Sequence, residues 1–458
     1  MIKSTIIASL LLFLPSLSKG EIQYSHSGYA NATTVNRLSD GSIIKMPYRV
    51  LSYEPVISYN NFNIVANTAL EFRLKDISQI MDSDLKVDLR ELYIEWMTPL
   101  GDFSLGKQII TWGSASENNP TDNISPYNYY YLFSMGKERK EGIFSLNSTF
   151  YYQNLKLNAI FIPEHNPNTL PLNDPEFSLS IPIVPTDEQI MELDNPYEYG
   201  ISINIPFSSM DVTTSYFSGY DRIVSFFGAN VWTEPNSNPQ SIIAIDTVLS
   251  FRKTDIYGLG LSYYIWDMTI RGDIGYFITT SNISRSDSAL YRYYAPDTLI
   301  NHCEEKNDTI ENDPFSSGTP FPDCKLFPTF NNTELINNNA EYYQYTIEIE
   351  YSPGDDYNFI SQYTKYKLEE IGLADSIRTS DTTVVFDPLD YFIPGMGSPN
   401  TFISTNSLSI TVLKSFPEIG LELRYTSMFD LDEKGSLHGA GLEYEIFKNT
   451  NLLIEVTK

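Results

Sequence analysis

Residues Tyr257–Thr279 read YGLGLSYYIWDMTIRGDIGYFIT, two alternating runs that meet at Trp266-Asp267. In the first run Tyr257, Leu259, Leu261, Tyr263 and Ile265 fall on one side of a pleat, with Gly258, Gly260, Ser262 and Tyr264 on the other. In the second, Met268, Ile270, Ile274, Tyr276 and Ile278 oppose Thr269, Arg271, Asp273 and Gly275. Side chains alternate with period two along a strand, so each run predicts a β-strand and the short link between them a hairpin. The split recurs near the end of the chain. Ile419, Leu421, Leu423 and Tyr425 oppose Gly420, Glu422, Arg424 and Thr426, and then Ala440, Leu442, Tyr444 and Ile446 oppose Gly439, Gly441, Glu443 and Glu445. Period two alone fits two architectures, a soluble sandwich with its apolar faces inside or a membrane barrel with its apolar faces outside.

The surrounding sequence favours the barrel. Strand-like runs come in pairs joined by about two to five residues, among them Val50–Tyr59 with Phe62–Leu74, Arg90–Thr98 with Phe103–Trp112, and Leu437–Ile446 with Leu452–Thr457. Longer tracts separate the pairs: 113–142, 164–196, 219–254, 280–341 and 368–405. Alternation of short and long connections has no reason in a sandwich, whereas a transmembrane barrel has turns on the periplasmic side and loops outside. Aromatic residues crowd the run ends, with Trp96, Trp112 and Trp266 as expected interface anchors. With a first strand from Ile22, the sequence predicts an all-β, transmembrane antiparallel β-barrel of about 16–18 strands with long extracellular loops. The tally of about 17 is odd where bacterial barrels are even, and the ending LLIEVTK lacks a terminal aromatic. Either one strand is misassigned or the barrel lacks its closing C-terminal strand.

Residues 1–20 carry Lys3, an apolar run from Ile6 to Leu14 and Ser18-Lys19-Gly20, the layout of a secretory signal peptide with an apolar run too short to span a bilayer. Residues 21–458 then read as a single barrel domain, since the texture hardly changes along them. The 33 Tyr and 26 Phe suit pleated surfaces. The 30 Lys and Arg against 58 Asp and Glu leave a net charge of −28, which excludes nucleic acid as a partner; loops beside divalent cations and plain solubility explain it equally well. Cys303 and Cys324, the two cysteines of an exported chain, are expected to form a disulfide within one long loop. No zinc pattern or phosphate-cradling loop appears, so neither cofactor nor metal is expected.

The stretch LRELYIEWMTPLGDFSLGKQIITWG (Leu89–Gly113), followed by NPTDNISP (Asn119–Pro126), resembles the signature of a Gram-negative outer-membrane protein family, domain of unknown function 1302. It is more loosely similar to the alginate-export porins, with further similarity at Tyr197–Arg222 and Lys253–Phe277. The resemblance implies a barrel in the bacterial outer membrane, with outer-membrane lipid and the barrel-assembly machinery as partners. Those relatives carry Arg where this chain has Lys107, so a bidentate clamp becomes a point charge.

Lys107 poses a question of its own. Plain pairing from Thr98 opposite Phe103 sets it beside Ile94 on the lipid face, at about 2–4 kcal/mol near the midplane. A bulge at Gly106 turning it towards Glu91 and Glu95 is the preferred expectation, and a lysine snorkelling to head groups the alternative. The expected lumen set is then Glu91, Glu95, Lys107, Arg271, Asp273, Glu348, Glu422, Arg424 and Glu443. With Glu350, Glu445 and Glu455, acids outnumber bases nine to three. An open lumen of that kind prefers cations. The chain is expected to be no enzyme: of His26, His165, His302 and His438 only His438 sits on an apolar face, and no motif supplies a nucleophile for it. The expected function is a porin-like channel for small polar solutes, narrowed by loops 113–142 and 280–341. The rival is a non-conducting barrel that accepts or presents a lipid or other hydrophobic substrate from periplasmic partners.

Overall fold

The computed structural model describes residues 21–458 apart from 38, 75–82, 133, 135, 173, 177–184, 187–188, 234–241, 282–296, 313–329, 355, 374, 379–382 and 449. The expected signal peptide, Met1–Gly20, lies outside the described residues. The strands in chain order are β1 (Ile22–Ala30), β2 (Tyr48–Tyr59), β3 (Phe62–Leu74), β4 (Ser83–Thr98), β5 (Gly101–Gln108), β6 (Ile143–Tyr152), β7 (Leu155–Ile162), β8 (Glu198–Pro206), β9 (Met210–Tyr220), β10 (Ser225–Thr233) and β11 (Ile242–Ser250). They continue with β12 (Lys253–Ile265), β13 (Met268–Thr280), β14 (Phe330–Leu335), β15 (Ala340–Tyr351), β16 (Tyr357–Ile371), β17 (Asp375–Arg378), β18 (Thr383–Phe386), β19 (Asn406–Phe416), β20 (Leu421–Asp430), β21 (Ser436–Phe447) and β22 (Thr450–Thr457). A 17-stranded sheet takes all of them except β10, β11, β14, β17 and β18.

Two compact units divide the chain: residues 1–109 with 142–151, and residues 110–141 with 152–458. In the first, β1 to β6 pair antiparallel in sequence order. The outward face of β4 changes parity midway. Leu85, Val87 and Leu89 are exposed, then Leu92, Ile94 and Trp96, because the pairing with β3 skips Arg90 and both Arg90 and Glu91 are buried. That is a β-bulge, an extra residue that re-aims the strand. β5 has none. Its register runs unshifted from Thr98↔Gly101 to Leu92↔Lys107. The expected bulge at Gly106 is therefore corrected: Gly106 pairs plainly with Tyr93, and a Cβ there would stand 2.3 Å from the Leu92 carbonyl oxygen.

In the second unit antiparallel pairing joins β7–β8–β9–β12–β13–β15–β16–β19–β20–β21–β22. The hairpin of β12 and β13 has the register that its alternation predicts, from Tyr257↔Tyr276 to Ile265↔Met268. Trp266 at its tip takes a positive φ of 51°.

Two features of this unit differ from the sequence expectation. The tracts 219–254 and 280–341 are not plain loops: β10 pairs with β11 and with β14, giving a separate three-stranded sheet. Phe226, Ala229, Leu249 and Ile336 pack as a small core there. Tract 280–341 also holds an unexpected helix, α1 (Asp297–Asn312), hidden by its run of Asn, Asp and Glu. Cys303 is buried on α1, whereas Cys324, its expected disulfide partner, lies outside the described residues.

Candidate functional site

The exposure pattern of the second unit is the reverse of a soluble sheet. On β15, Ile347 and Ile349 are 48% and 40% exposed, while Thr346 and Glu348 between them are 1% and 0% exposed. β12 and β13 repeat it, with Leu259, Leu261 and Ile274 outward and Asp273 buried. Charged groups are almost never buried without partners, so something polar must lie on that inner face.

It is the tract from Ile110 to Glu141. The backbone N–H groups of Ser114 and Ala115 donate to the Asp273 carboxylate, at 3.0 Å and 2.6 Å to Oδ2, and Thr121 Oγ1 donates to Oδ1 at 3.2 Å. Ser116 donates to Glu348 Oε2 through its N–H at 3.1 Å and its hydroxyl at 2.5 Å. Asn118 Nδ2 donates to Gln362 Oε1 at 2.8 Å. Three neighbouring strands, β13, β15 and β16, thus hold a loop on their polar face.

The loop's Asn/Asp/Ser/Thr content has a physical reason. A buried loop must satisfy its own backbone, and short polar side chains do this over two to four residues. Asn119 Nδ2 donates to the carbonyls of Trp112 and Ala115, Asn119 Oδ1 accepts from Thr121 N–H, and Asn123 Nδ2 donates to Pro120 O. Ile124, Tyr127, Tyr129 and Leu132 are buried, and Tyr129 meets the Phe402 ring edge-on at 5.5 Å.

The loop also carries buried charge. Lys140 Nζ lies 2.6 Å from Asp122 Oδ2, with side chains 1% and 8% exposed, and 4.6 Å from the centre of the Tyr127 ring. Burial pulls the Lys140 ammonium below its ordinary pKa, Asp122 partly restoring it. Arg139 pairs with Glu117 at 2.7 Å and donates to the Glu117 carbonyl.

A second segment, Ile393 to Phe402, straps the first. Arg252 Nη2 donates to Ile393 O at 2.7 Å, and Arg222 N–H to Gly395 O at 2.8 Å. Gln344 on β15 donates to Met396 O and accepts from Ser398 N–H, both at 2.8 Å. Gly397 N–H donates to Asn123 Oδ1 at 2.6 Å, joining the two segments. Arg222, 4% exposed, is the node: it donates to Glu198 at 2.8 Å and 3.0 Å, to Asn123 O and Ile124 O at 3.1 Å and 2.9 Å, and to Asn166 O at 3.0 Å.

The sequence-predicted residues fall as follows. Asp273 and Glu348 hold the loop, and Arg271 bridges Glu348 and Glu350 at 2.6 Å and 2.8 Å. Glu422 stands directly opposite Glu443, with Arg424 3.5 Å from Glu422. In the first unit Glu91 accepts from Ile109 N–H at 2.9 Å, and Glu95 from Asn63 Nδ2 at 2.8 Å. Lys107 does not turn to either: it sits on the Phe103–Leu105 side and reaches Asp88 at 3.9 Å. Trp96 is exposed beside Phe62 and Phe103, and Trp266 is exposed at its hairpin tip. Trp112 is no interface anchor, because its indole N–H donates to Asn158 Oδ1 at 3.0 Å from within the inward loop.

Loop 280–341, the expected second narrowing element, instead builds the separate sheet in its described part, and it is 393–402 that lies against the first loop. Neither that segment nor Arg222 was singled out from the sequence. The one signal was PGMGSP at Pro394–Pro399, a backbone needing close approach. His438 shares its Nδ1 between the hydroxyls of Ser427 at 2.9 Å and Tyr425 at 3.2 Å.

Strands of 8 to 16 residues that turn apolar side chains outward and charge inward belong in lipid, where a closed barrel alone satisfies every strand's backbone. The chain is thus an all-β, transmembrane antiparallel β-barrel of the bacterial outer membrane. Among solved structures it is similar to OmpT, an outer membrane protein of Vibrio cholerae, at 11% identity over 97% of this chain and 95% of that one, with a TM-score of 0.42. The outer membrane channel DcaP of Acinetobacter baumannii gives 9% identity over 96% of each chain and a TM-score of 0.38. The outer membrane protein opdK from Pseudomonas aeruginosa gives 8% identity, 95% and 91% coverage and a TM-score of 0.42. No protein-family model and no curated sequence matches the chain.

Proposed function

We propose that this protein is a porin-like channel that passes small polar solutes, with the loop at 110–141 and the strap at 393–402 setting the width of its path. The observation that carries the reading is the hold of Asp273 and Glu348 on Ser114, Ala115 and Ser116, which places a polar loop on the charged face of the sheet. The same contacts revise the charge count. Asp273, Glu348 and Glu91 are consumed by hydrogen bonds and buried, so a solute meets Glu117, Glu350, Glu422 and Glu443 against Arg271 and Arg424. That surface remains acidic and supports a preference for cations. The resemblance of Leu89–Gly113 to domain of unknown function 1302 and to the alginate-export porins belongs to this reading, as do outer-membrane lipid and the barrel-assembly machinery as partners.

The packed cluster of Tyr127, Tyr129, Leu132 and Phe402 favours a second reading, a plugged barrel that accepts or presents a lipid or other hydrophobic substrate. Planar-bilayer recording of the purified protein separates the two. Discrete current steps that reverse on the cation side of a KCl gradient support the channel; a silent membrane containing folded protein supports the acceptor.

A further inference from the structure

The Arg222 node contains a group that the channel reading does not use. The His165 side chain is 4% exposed, with Nδ1 3.0 Å from Glu198 Oε1 and 3.2 Å from Arg222 Nη1. Its ring stands 4.6 Å from that of Phe251 and 5.7 Å from that of Tyr220. Its Nε2 is buried with no hydrogen-bond partner among the described residues. Arg222 Nη1 already gives its two hydrogens to Asn166 O and Glu198 Oε1, each at 3.0 Å, and the Glu198 carboxylate can only accept, so the neutral imidazole keeps its proton on Nδ1, donated to Glu198, and leaves Nε2 bare and buried. An imidazolium adds an N–H at Nε2, with no acceptor for it among the described residues, and sets a second cation 3.2 Å from Arg222 Nη1. Glu198 Oε1 is then drawn from Arg222 towards the ring, which loosens the guanidinium.

The other charges facing the ring do not offset this. Glu198 comes from β8, Asp221 and Arg222 follow β9, and Arg252 and Lys253 open β12. Asp221 is already engaged by Arg252 at 2.6 Å and by the Thr254 hydroxyl at 2.7 Å, and the Lys253 ammonium lies over the Tyr220 ring at 4.5 Å. Glu164, the other ionisable group on the ring's own segment, is exposed. Of these charged residues only Arg222 joins both segments, its guanidinium reaching the loop carbonyls of Asn123 and Ile124 and its main-chain N–H the strap carbonyl of Gly395.

We propose that His165 makes this anchorage acid-labile, so that the two segments are clasped near neutral pH and released on acidification, widening the path. Widening rests on the channel reading; release of the segments does not.

Both are measured on the full chain refolded into liposomes. Proteinase K cleavage within 123–141 and 393–398, mapped by mass spectrometry, is expected to rise at least about fivefold between about pH 7.5 and 5.0, and to change by less than about twofold in His165→Gln. Conductance is expected to follow. Should His165→Gln fail to fold, as judged by loss of heat-modifiable gel mobility, His165→Asn replaces it. A parallel rise in wild type and variant, or none in either, overturns the clasp. Acid-dependent cleavage that needs His165, in a membrane that carries no current at any pH, supports the clasp and overturns the channel.

Discussion

At the scale of single residues, the anchors of the loop decide its position. Asp273 accepts from two backbone N–H groups and one hydroxyl, and hydrogen bonds to a charged acceptor contribute about 1.5–3 kcal/mol each. Asp273→Ala is expected to free the loop with the strands intact: larger, noisier single-channel currents with unchanged heat-modifiable mobility. Lys140→Met leaves Asp122 buried and unpaired and is expected to cost about 3–5 kcal/mol, most of it recovered in Lys140→Met with Asp122→Leu. Urea midpoints followed by near-ultraviolet circular dichroism read both. His165 gives the pH dependence its sign. Burial holds its pKa below the ordinary value, so below about pH 6.5 the unfolded chain binds more protons than the folded one. Its share of stability is intact above that value and is lost as pH falls towards the lowered pKa. Asp273 and Glu348 were legible in the sequence because each interrupts an apolar alternation. The expected inward turn of Lys107 fails because β5 has no bulge at Gly106: its unshifted register sets Lys107 opposite Leu92, on the face that plain pairing gives it.

At the scale of elements, hairpins were legible because each face of a strand meets a different medium, which writes period two into the residues. The bulge at Arg90 was not, for it shows only as a change of parity between Leu89 and Leu92, and nothing local says which strand carries the extra residue. Trp112 was misassigned because an aromatic residue at a strand end looks the same whether it stops at head groups or begins an inward loop. The strap 393–402 leaves only its Gly/Pro run PGMGSP as a trace in the sequence, as its contacts are mostly backbone bonds to distant side chains. Gly397 marks it in the structure: its φ is +105°, and a Cβ would fall 2.0 Å from Gln344 Oε1. Gly397→Ala is therefore expected to dislodge the strap and raise its protease cleavage at neutral pH, where the wild-type strap is resistant.

At the scale of the whole molecule, the barrel was legible from the alternation of short and long connections and from the period-two runs. The separate sheet of β10, β11 and β14 was not, since it joins two tracts some hundred residues apart and such pairing leaves no local trace. What the architecture requires is that the apolar sides of the strands meet acyl chains while the loop at 110–141 does not. Among its 4 Trp the chain carries a reporter for each side, Trp96 outward and Trp112 inward. Single-tryptophan proteins, with the other three changed to Phe, are refolded into bilayers whose acyl chains carry bromine, a short-range quencher. The expected result is strong quenching of Trp96 and little of Trp112; quenching of Trp112 with Trp96 untouched would contradict the orientation from which the loop, its anchors and the channel all follow.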